Sequence, residues 1–295
     1  MRLRCVLLFA AAAAIAVCSA DATSMSTTVG ERGDEVGAAA NRRLRGIDTA
    51  DELDDEDSEE TGAVDLSKHA DEVFKVLKLD DGVEDLLANP IMKEWVAYVE
   101  KMNKLKPENK VSIFETLIWN YDQATAAKII GRGARYASTE SLANSLRKEL
   151  IRRWSSANES PAELLKVLKL DEDASSLATN PALGILVDYV NVWNHNNPRQ
   201  QTTLMNTIIT STKYDDAIVA RALEAAKKIK GAKTMALQLQ GFQFDRWMEI
   251  GYKPKKIVGA VFSTKYTKQE ASIARQYKAY YKNQKDVFEE LEKLP

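Results

Sequence analysis

The feature that most constrains this chain is an internal repeat. Residues 73–80 read VFKVLKLD and residues 164–171 read LLKVLKLD, an offset of 91 positions. Tyr98 returns as Tyr189 with the same offset. Self-similarity at one long period is typical of stacked supersecondary units. We therefore expect an array of modules, each of which buries its apolar face against its neighbours.

Farther along the chain the offset grows. Trp154 matches Trp247, which is an offset of 93 positions. A net insertion of two residues near Trp119 and its counterpart Thr210 explains the change.

The pattern of apolar residues predicts the fold class. From Leu66 onward, apolar residues recur at helical spacing, and few stretches alternate as a half-buried strand would. The sequence therefore predicts an all-α fold of tandem helical bundles that forms an elongated array. We expect a first unit at 66–153, a second at 154–246, and a shorter C-terminal unit at 247–295.

The residues after two tryptophans predict how one helix ends and the next begins. They are Asn158, Ser160 and Pro161 after Trp154, and Gly251 and Pro254 after Trp247. Asn and Gly tolerate the left-handed conformation that ends many helices, and Pro is favoured in the first turn of the next one. Ser160 is a typical N-cap residue. Short turns of this kind fix the angle between consecutive helices.

Five tryptophans raise the question of core against surface. At helical spacing among aliphatic residues, a tryptophan usually lies in the core, where its burial contributes several kcal/mol. Trp119 aligns with Thr210 and Trp193 aligns with Met102, so neither of these two is kept in the matching repeat. Trp119 and Trp193 are therefore the predicted surface-contact residues.

The N-terminus has the pattern of a secretory signal peptide at 1–20. Arg2 and Arg4 precede an Ala/Leu/Val-rich run at 6–17, and small residues lie before Asp21. A membrane anchor is the alternative, but it needs about 20 apolar residues. The run has about a dozen, so we expect cleavage and no membrane anchor.

Residues 21–65 have a different composition from the rest of the chain. They hold 14 acidic residues and four arginines, and they have no aromatic residue. Such a segment cannot bury enough apolar surface to fold, so we expect a disordered leader. The remaining chain from Leu66 carries a net charge of +6, which looks too dilute to predict nucleic-acid binding.

The leader contains a short basic motif and then an acidic stretch. The basic residues with their aliphatic neighbour are Arg42, Arg43, Leu44 and Arg45. The acidic stretch ends in Asp54, Asp55, Glu56, Asp57, Glu59 and Glu60. An exposed, flexible Arg-x-Leu-Arg segment suits recognition by a protease or a sorting receptor. By itself it is better explained as a solvated charge run.

The order of signal peptide, Arg-x-Leu-Arg, acidic stretch and helical body is similar to that of the secreted RxLR effectors of oomycete plant pathogens. The helical repeats resemble their WY and LWY units. Thr61 stands where the family's Glu-Glu-Arg motif would place its arginine. The resemblance implies secretion, cleavage after Arg45, and action of the body inside host plant cells, in the cytoplasm or nucleus. It also implies a framework of Trp95, Tyr98, Trp154, Pro161, Tyr189, Trp247, Gly251, Pro254 and Tyr281.

The composition leaves little material for catalysis. Both cysteines, Cys5 and Cys18, lie in the predicted signal peptide, and His69 and His195 are far apart in sequence. Thiol chemistry, a zinc-thiolate site and a histidine-rich metal site are therefore not expected in the mature chain. We expect no enzyme activity, no cofactor and no metal. A hydrolase or transferase that uses Asp/Glu pairs is the alternative, although no such pair stands out.

The predicted function is suppression of plant immunity by non-enzymatic binding of a host protein. Some relatives with tandem LWY units recruit protein phosphatase 2A, so the resemblance implies a scaffold that mimics a regulatory subunit of the phosphatase core. A second alternative is a short motif at Phe288 and Leu291, with acids before and between them. Such peptides add as a strand to ubiquitin-like autophagy proteins. The same spacing also suits a final amphipathic helix.

Overall fold

The computed structural model describes residues 66–82, 85–263 and 265–291, the last four by their backbone alone. Over these residues the chain is helical and forms no strand, as the periodicity predicts. The α-helices are α1 Leu66–Val76, α2 Pro90–Leu105, α3 Ile113–Asn120, α4 Gln123–Gly133, α5 Glu140–Ser156, α6 Pro161–Val167, α7 Leu183–Asn196, α8 Leu204–Ser211, α9 Asp216–Ala226, α10 Lys233–Glu249, α11 Ile257–Val261 and α12 Lys268–Leu291. Short 3-10 helices lie at Leu86–Ala88 and Ala174–Ser176.

The sequence repeat is also a structural repeat. Helices α3 and α8 begin and end 91 residues apart, whereas α4 and α9, like α5 and α10, begin and end 93 residues apart. The α3–α4 loop is Tyr121 and Asp122, and the α8–α9 loop covers 212–215. The two inserted residues therefore lie in this loop, next to Thr210. A loop absorbs them because it leaves the packing of both flanking helices unchanged.

The helix ends follow the predicted cap chemistry. Asn158 has φ 52° and Gly251 has φ 82°, so both residues adopt the left-handed conformation. In each case the following N–H reaches back to the tryptophan carbonyl, from Glu159 to Trp154 at 3.0 Å and from Tyr252 to Trp247 at 2.8 Å. These bonds satisfy carbonyls that the helix end would otherwise leave unpaired.

The start of α6, the helix after the Asn158 turn, is equally well defined. Ser160 Oγ accepts from the Glu163 backbone N–H at 3.2 Å, and the Glu163 carboxylate accepts from the Ser160 N–H at 2.9 Å. This reciprocal pair is a capping box, and Pro161 occupies the first helical position of α6. The predicted N-cap and first-turn proline are confirmed.

The core does not follow the predicted unit limits. One continuous cluster of buried apolar side chains extends from Leu66 to Leu239, through both of the first two units. A second cluster surrounds Trp247 and includes Ile273 and Tyr277. The predicted boundaries at 153 and 246 lie inside α5 and α10, whereas the helices break after Ser156 and Glu249. We therefore count each unit to the end of its last long helix, so that the first ends at Ser156 with Trp154 and the second at Glu249 with Trp247. The unit limits remain a prediction.

Candidate protein-interaction surface

Two buried tryptophans make the same contact in successive units. Trp154 Nε1 donates to Gln123 Oε1 at 3.0 Å, and Trp247 Nε1 donates to Asp216 Oδ1 at 2.7 Å. Gln123 and Asp216 are the first residues of α4 and α9. In each unit, therefore, the last long helix is tied to the start of an earlier helix by an indole N–H.

A tyrosine from the next unit closes each tryptophan. Tyr189 packs edge-on to Trp154, with ring centroids 5.6 Å apart, and Tyr277 packs edge-on to Trp247 at 5.2 Å. Burial raises the pKa of both phenols to about 12. Their hydroxyls therefore stay protonated and donate to the carbonyls of Glu159 and Tyr252, each at 2.6 Å. These Trp–Tyr pairs hold consecutive units together.

The tyrosine prediction in the third unit is wrong by one helical turn. Tyr277, and not Tyr281, occupies the position of Tyr189 and is fully buried. Tyr281 is half-buried, edge-on to Tyr277 at 6.0 Å, and its hydroxyl accepts from Lys253 Nζ at 3.0 Å. Four tyrosines crowd this segment, so the sequence alone does not show which of them faces the core.

The remaining framework tryptophan, Trp95, is placed differently from Trp154 and Trp247. Trp95 is fully buried on α2, its Nε1 donates to the Ala70 carbonyl at 3.1 Å, and its ring lies edge-on to Phe74 at 5.0 Å. Tyr98 is half-buried beside His69, with ring centroids 6.4 Å apart. Pro254 is half-buried in the turn before α11, which begins at Ile257, so it does not lie in the first turn of a helix as predicted. Trp95 is thus a core residue, as most tryptophans in this setting are.

One of the two predicted surface tryptophans is exposed. Trp119 on α3 keeps 60% of its surface accessible to solvent. The prediction for Trp193 is wrong, because it is only 6% exposed and its Nε1 donates to the Gln200 carbonyl at 3.1 Å. The loop after α7 folds back and covers this ring.

A shallow cavity of about 180 Å³ lies beside Trp193. Its walls come from the start of α6, the loop after α7, and α8, and they include Ser160, Pro161, Trp193, Thr202, Thr207 and Thr210. Thr210 is the counterpart of Trp119. The two units therefore present different surfaces at the same place: a projecting indole in the first and a hydroxyl-lined hollow in the second.

The positive charge of the body is concentrated, which corrects the prediction that it is dilute. Residues 250–287 contain nine Lys or Arg and two acids, whereas 66–249 contain 25 basic and 24 acidic residues. The positive residues on α12 are exposed at Lys268, Arg275, Lys278, Lys282 and Lys285. An average over the whole body hides this difference between its parts.

One partly buried carboxyl group, Asp245, accepts a hydrogen bond from a tyrosine. Burial raises the pKa of Asp245, although Tyr280 donates a hydrogen bond to its Oδ1 at 2.7 Å.

Among the residues that the structure describes, no group of three His, Asp or Glu side chains could hold a metal ion. No helix in that part of the chain is long and apolar enough to cross a membrane.

Several predicted site residues lie outside the described residues. The Arg42–Arg45 motif, the acidic stretch, the signal peptide and the cysteines all precede residue 66. At the other end, the backbone of Phe288 and Leu291 belongs to α12. Their helical backbone fits the amphipathic-helix alternative, while the docking motif remains a prediction.

Comparison with known proteins finds similar effectors of plant pathogens. Residues 2–126 match the family model described as RXLR phytopathogen effector protein, avirulence activity. The "RxLR effector protein PSR2" of Phytophthora sojae is 26% identical over 241 residues, which is 80% of this chain and 35% of that protein. The PSR2 protein of Phytophthora infestans is 34% identical over 192 residues, which is 64% of this chain and 24% of that protein.

The chain is similar to the RxLR effectors over these matched residues. A solved structure supports the same likeness, since the crystal structure of PcRxLR12 superposes with a TM-score of 0.58 and 26% sequence identity. The likeness covers 85% of this chain and 60% of PcRxLR12. The chain spans about a quarter to a third of the length of the PSR2 proteins that it matches.

Proposed function

We propose that this chain is an RxLR effector that is secreted and acts inside host plant cells by binding a host protein without catalysis. The observation that carries the proposal is the repeated Trp–Tyr pairing between units, together with the projecting Trp119. Stacked repeats present extended surfaces for partners. The similarity to RxLR effectors supports secretion and entry into host cells, because both are properties of those effectors.

Trp119 is the proposed anchor of this interaction. Its helix, α3, is fixed from behind by the buried side chains of Phe114 and Leu117. The neighbouring Asn120 donates to Asp71 Oδ1 on α1 at 2.6 Å, which holds the end of α3 in place. A large, rigid aromatic on a fixed helix is typical of interface hot spots, because little conformational entropy is lost on binding.

The proposed partner is the core of protein phosphatase 2A. This follows from the resemblance to tandem LWY effectors and is a proposal for this chain. Binding of the full chain to purified phosphatase core is the direct test, with Trp119→Ala as the variant. We expect the Kd to rise about tenfold or more, as for loss of a hot-spot tryptophan. Leu237→Ala is the matched control, because Leu237 is an exposed apolar residue on α10.

Two outcomes would count against this proposal. No binding by the wild-type chain would exclude the phosphatase core as the partner. Binding that Trp119→Ala leaves unchanged would show that the anchor lies elsewhere on the array. Turnover of a candidate substrate by the purified chain alone would instead favour the hydrolase or transferase alternative.

The leader and the C-terminal motif have separate proposed roles. We propose that the segment around Arg42–Arg45 directs delivery, with cleavage after Arg45, which mass spectrometry of the secreted chain would detect. Binding to a ubiquitin-like autophagy protein through Phe288 and Leu291 requires α12 to unwind at its end, since these peptides bind as strands. A double Phe288→Ala, Leu291→Ala variant that binds equally well would exclude that role.

A further inference from the structure

The positive residues of α12 form one continuous stripe. Lys268, Arg275 and Lys282 are seven residues apart, which places them nearly in line along a helix at a spacing of about 10 Å. Lys278 lies beside this line, one turn from its neighbours. We call these four residues the basic stripe. In the described part of the chain none of them forms an ion pair with an acidic side chain.

The opposite face of α12 is fixed to the body. Ile273 and Tyr277 are fully buried, and Glu270 pairs with Arg221 of α9 at 2.7 Å. The basic stripe therefore faces solvent. Because Ile273 and Tyr277 are already buried against the body, these apolar side chains are not available to insert into a membrane surface.

The stripe also lacks a feature that single-stranded nucleic acid needs. Its four residues are Lys or Arg, and none of them carries an aromatic ring on which a base could stack. A flat row of cations on a helix instead suits a run of carboxylates. A partner with many closely spaced acids and no basic residue would match it by charge.

Such a run exists in this chain outside the described residues. Residues 48–60 contain nine Asp or Glu and no Lys or Arg. From Leu66 onward the excess positive charge lies at 250–287, since 66–249 is nearly neutral. A segment tied to the body by five residues is held at a high effective concentration. Extended, the 18 residues from 48 to 65 span up to about 60 Å.

We propose that the acidic segment 48–60 of this chain docks along the basic stripe of α12. The contact covers the positive surface of the last unit and is released by salt, because exposed charge pairs are screened. The inference goes beyond the proposed function and does not depend on it. If cleavage occurs after Arg45, the acidic segment stays on the body and the contact persists.

Zero-length carbodiimide crosslinking of the full chain tests the contact. This reagent joins a carboxylate to a lysine amine only when the two groups touch. We expect crosslinks from 48–60 to Lys268, Lys278 and Lys282, lost in 1 M NaCl, where the Debye length is about 3 Å. Lys93, Lys101 and Lys104 on α2 are exposed and serve as the internal control.

A charge-reversed variant gives the second arm. The triple change Lys268→Glu, Arg275→Glu and Lys282→Glu should lower crosslinking of the segment to Lys278 about tenfold, since several weak pairs are lost together. Circular dichroism checks that this variant is folded. Chains labelled with ¹⁵N and mixed with unlabelled chains show whether segment and stripe belong to one molecule or two, and both results support docking of the segment.

Three results would overturn the proposal. Crosslinks from 48–60 that fall equally on the α2 lysines would show a nonspecific leader. Crosslinks unchanged in the triple variant would place the segment elsewhere. Absence of crosslinks, together with binding of a labelled single-stranded oligonucleotide that the triple variant loses, would assign the stripe to nucleic acid.

Discussion

The two junctions between units share an aromatic pair and differ in nearly everything around it. At the first, between α5 and α7, Trp154 meets Tyr189. At the second, between α10 and α12, Trp247 meets Tyr277. The counterpart of Gly131 at the first junction is Glu224 at the second, and this one position shows how the two contacts differ.

At the first junction the backbone of α4 at Gly131 closely approaches the backbone at Pro181. A Cβ atom on Gly131 would clash with the carbonyl group of Pro181, so only glycine lets α4 approach this closely. The neighbouring residues Leu183, Ile185 and Leu186 are fully buried in the same core. The contact is therefore close-packed and mostly apolar, although Arg147 of α5 forms an ion pair with Asp188 of α7, and one continuous core joins the first two units.

At the second junction, side chains of opposite charge and amides fill the corresponding space. Lys227 Nζ donates to Glu224 at 2.6 Å and to Gln276 of α12 at 2.7 Å. Buried Gln240 belongs to the same network. The comparison teaches that one aromatic pair can join units through either an apolar or a charged surrounding. The pair sets the geometry, and the surrounding sets how the contact responds to solvent.

The largest effect should come from removing either tryptophan. Trp154→Ala and Trp247→Ala should each lower the free energy of unfolding by about 3–5 kcal/mol, since both leave a large cavity. Urea denaturation followed by circular dichroism measures this change. Trp119→Ala is the control and should stay within about 0.5 kcal/mol. A small effect of Trp247→Ala alone would show that the two junctions do not share a framework.

The next effect tests the close approach at the first junction. Gly131→Ala should destabilise by about 1–3 kcal/mol because the new methyl group forces α4 away from Pro181. Gly241→Ala on α10 is the matched control, since nothing lies within 4 Å of its Cβ position. It should stabilise by up to about 1 kcal/mol. Equal effects of both changes would mean that the junction has room to adjust.

Acid should weaken the second junction. Hydrogen bonds from the Thr267 backbone and the Arg221 guanidinium hold the pKa of Glu270 below its ordinary value, against the opposing effect of burial. A carboxyl group whose pKa is lowered by folding stabilises the folded chain at pH values above its unfolded-state pKa. This stabilisation is lost as the pH falls below about 4.5. We expect the urea midpoint of the wild type to drop between pH 6 and pH 4.

Glu270→Gln is the control for this loss, because it removes the titrating group. Between pH 6 and pH 4 the free energy of unfolding of this variant should fall less than that of the wild type. The difference should be less than about 1 kcal/mol, since Arg221 is half-exposed and the pair is screened. An identical decrease in both proteins would mean that Glu270 does not couple this junction to pH.

The smallest effects should come from the two left-handed helix ends. Gly251→Ala should cost about 1 kcal/mol, because alanine is strained at φ 82°. Asn158→Gly should change stability by less than about 0.5 kcal/mol, since asparagine already tolerates this conformation. Thermal denaturation of both variants makes the comparison. A large loss in Asn158→Gly would point to a role for the Asn158 side chain beyond the turn.

Sequence reasoning gave the helical class, the repeat and the caps because all three depend on local chemistry. Asn158 and Gly251 show this well, since the conformational preference of one residue decides a helix end. It failed at Trp193 and at Tyr281. Both residues lie on helices with more than one aromatic or apolar face, so a neighbouring element decides which ring is covered.

The sequence by itself determined the period of the array, the two-residue insertion and the chemistry of each turn. Only the tertiary structure decided that Trp119 projects while Trp193 is buried, that Tyr277 closes the second junction, and that the cations of α12 share one face. Local conformation depends on residues close in sequence. Burial and surface charge depend on which distant helices meet, and the sequence specifies that only through the packing of the whole chain.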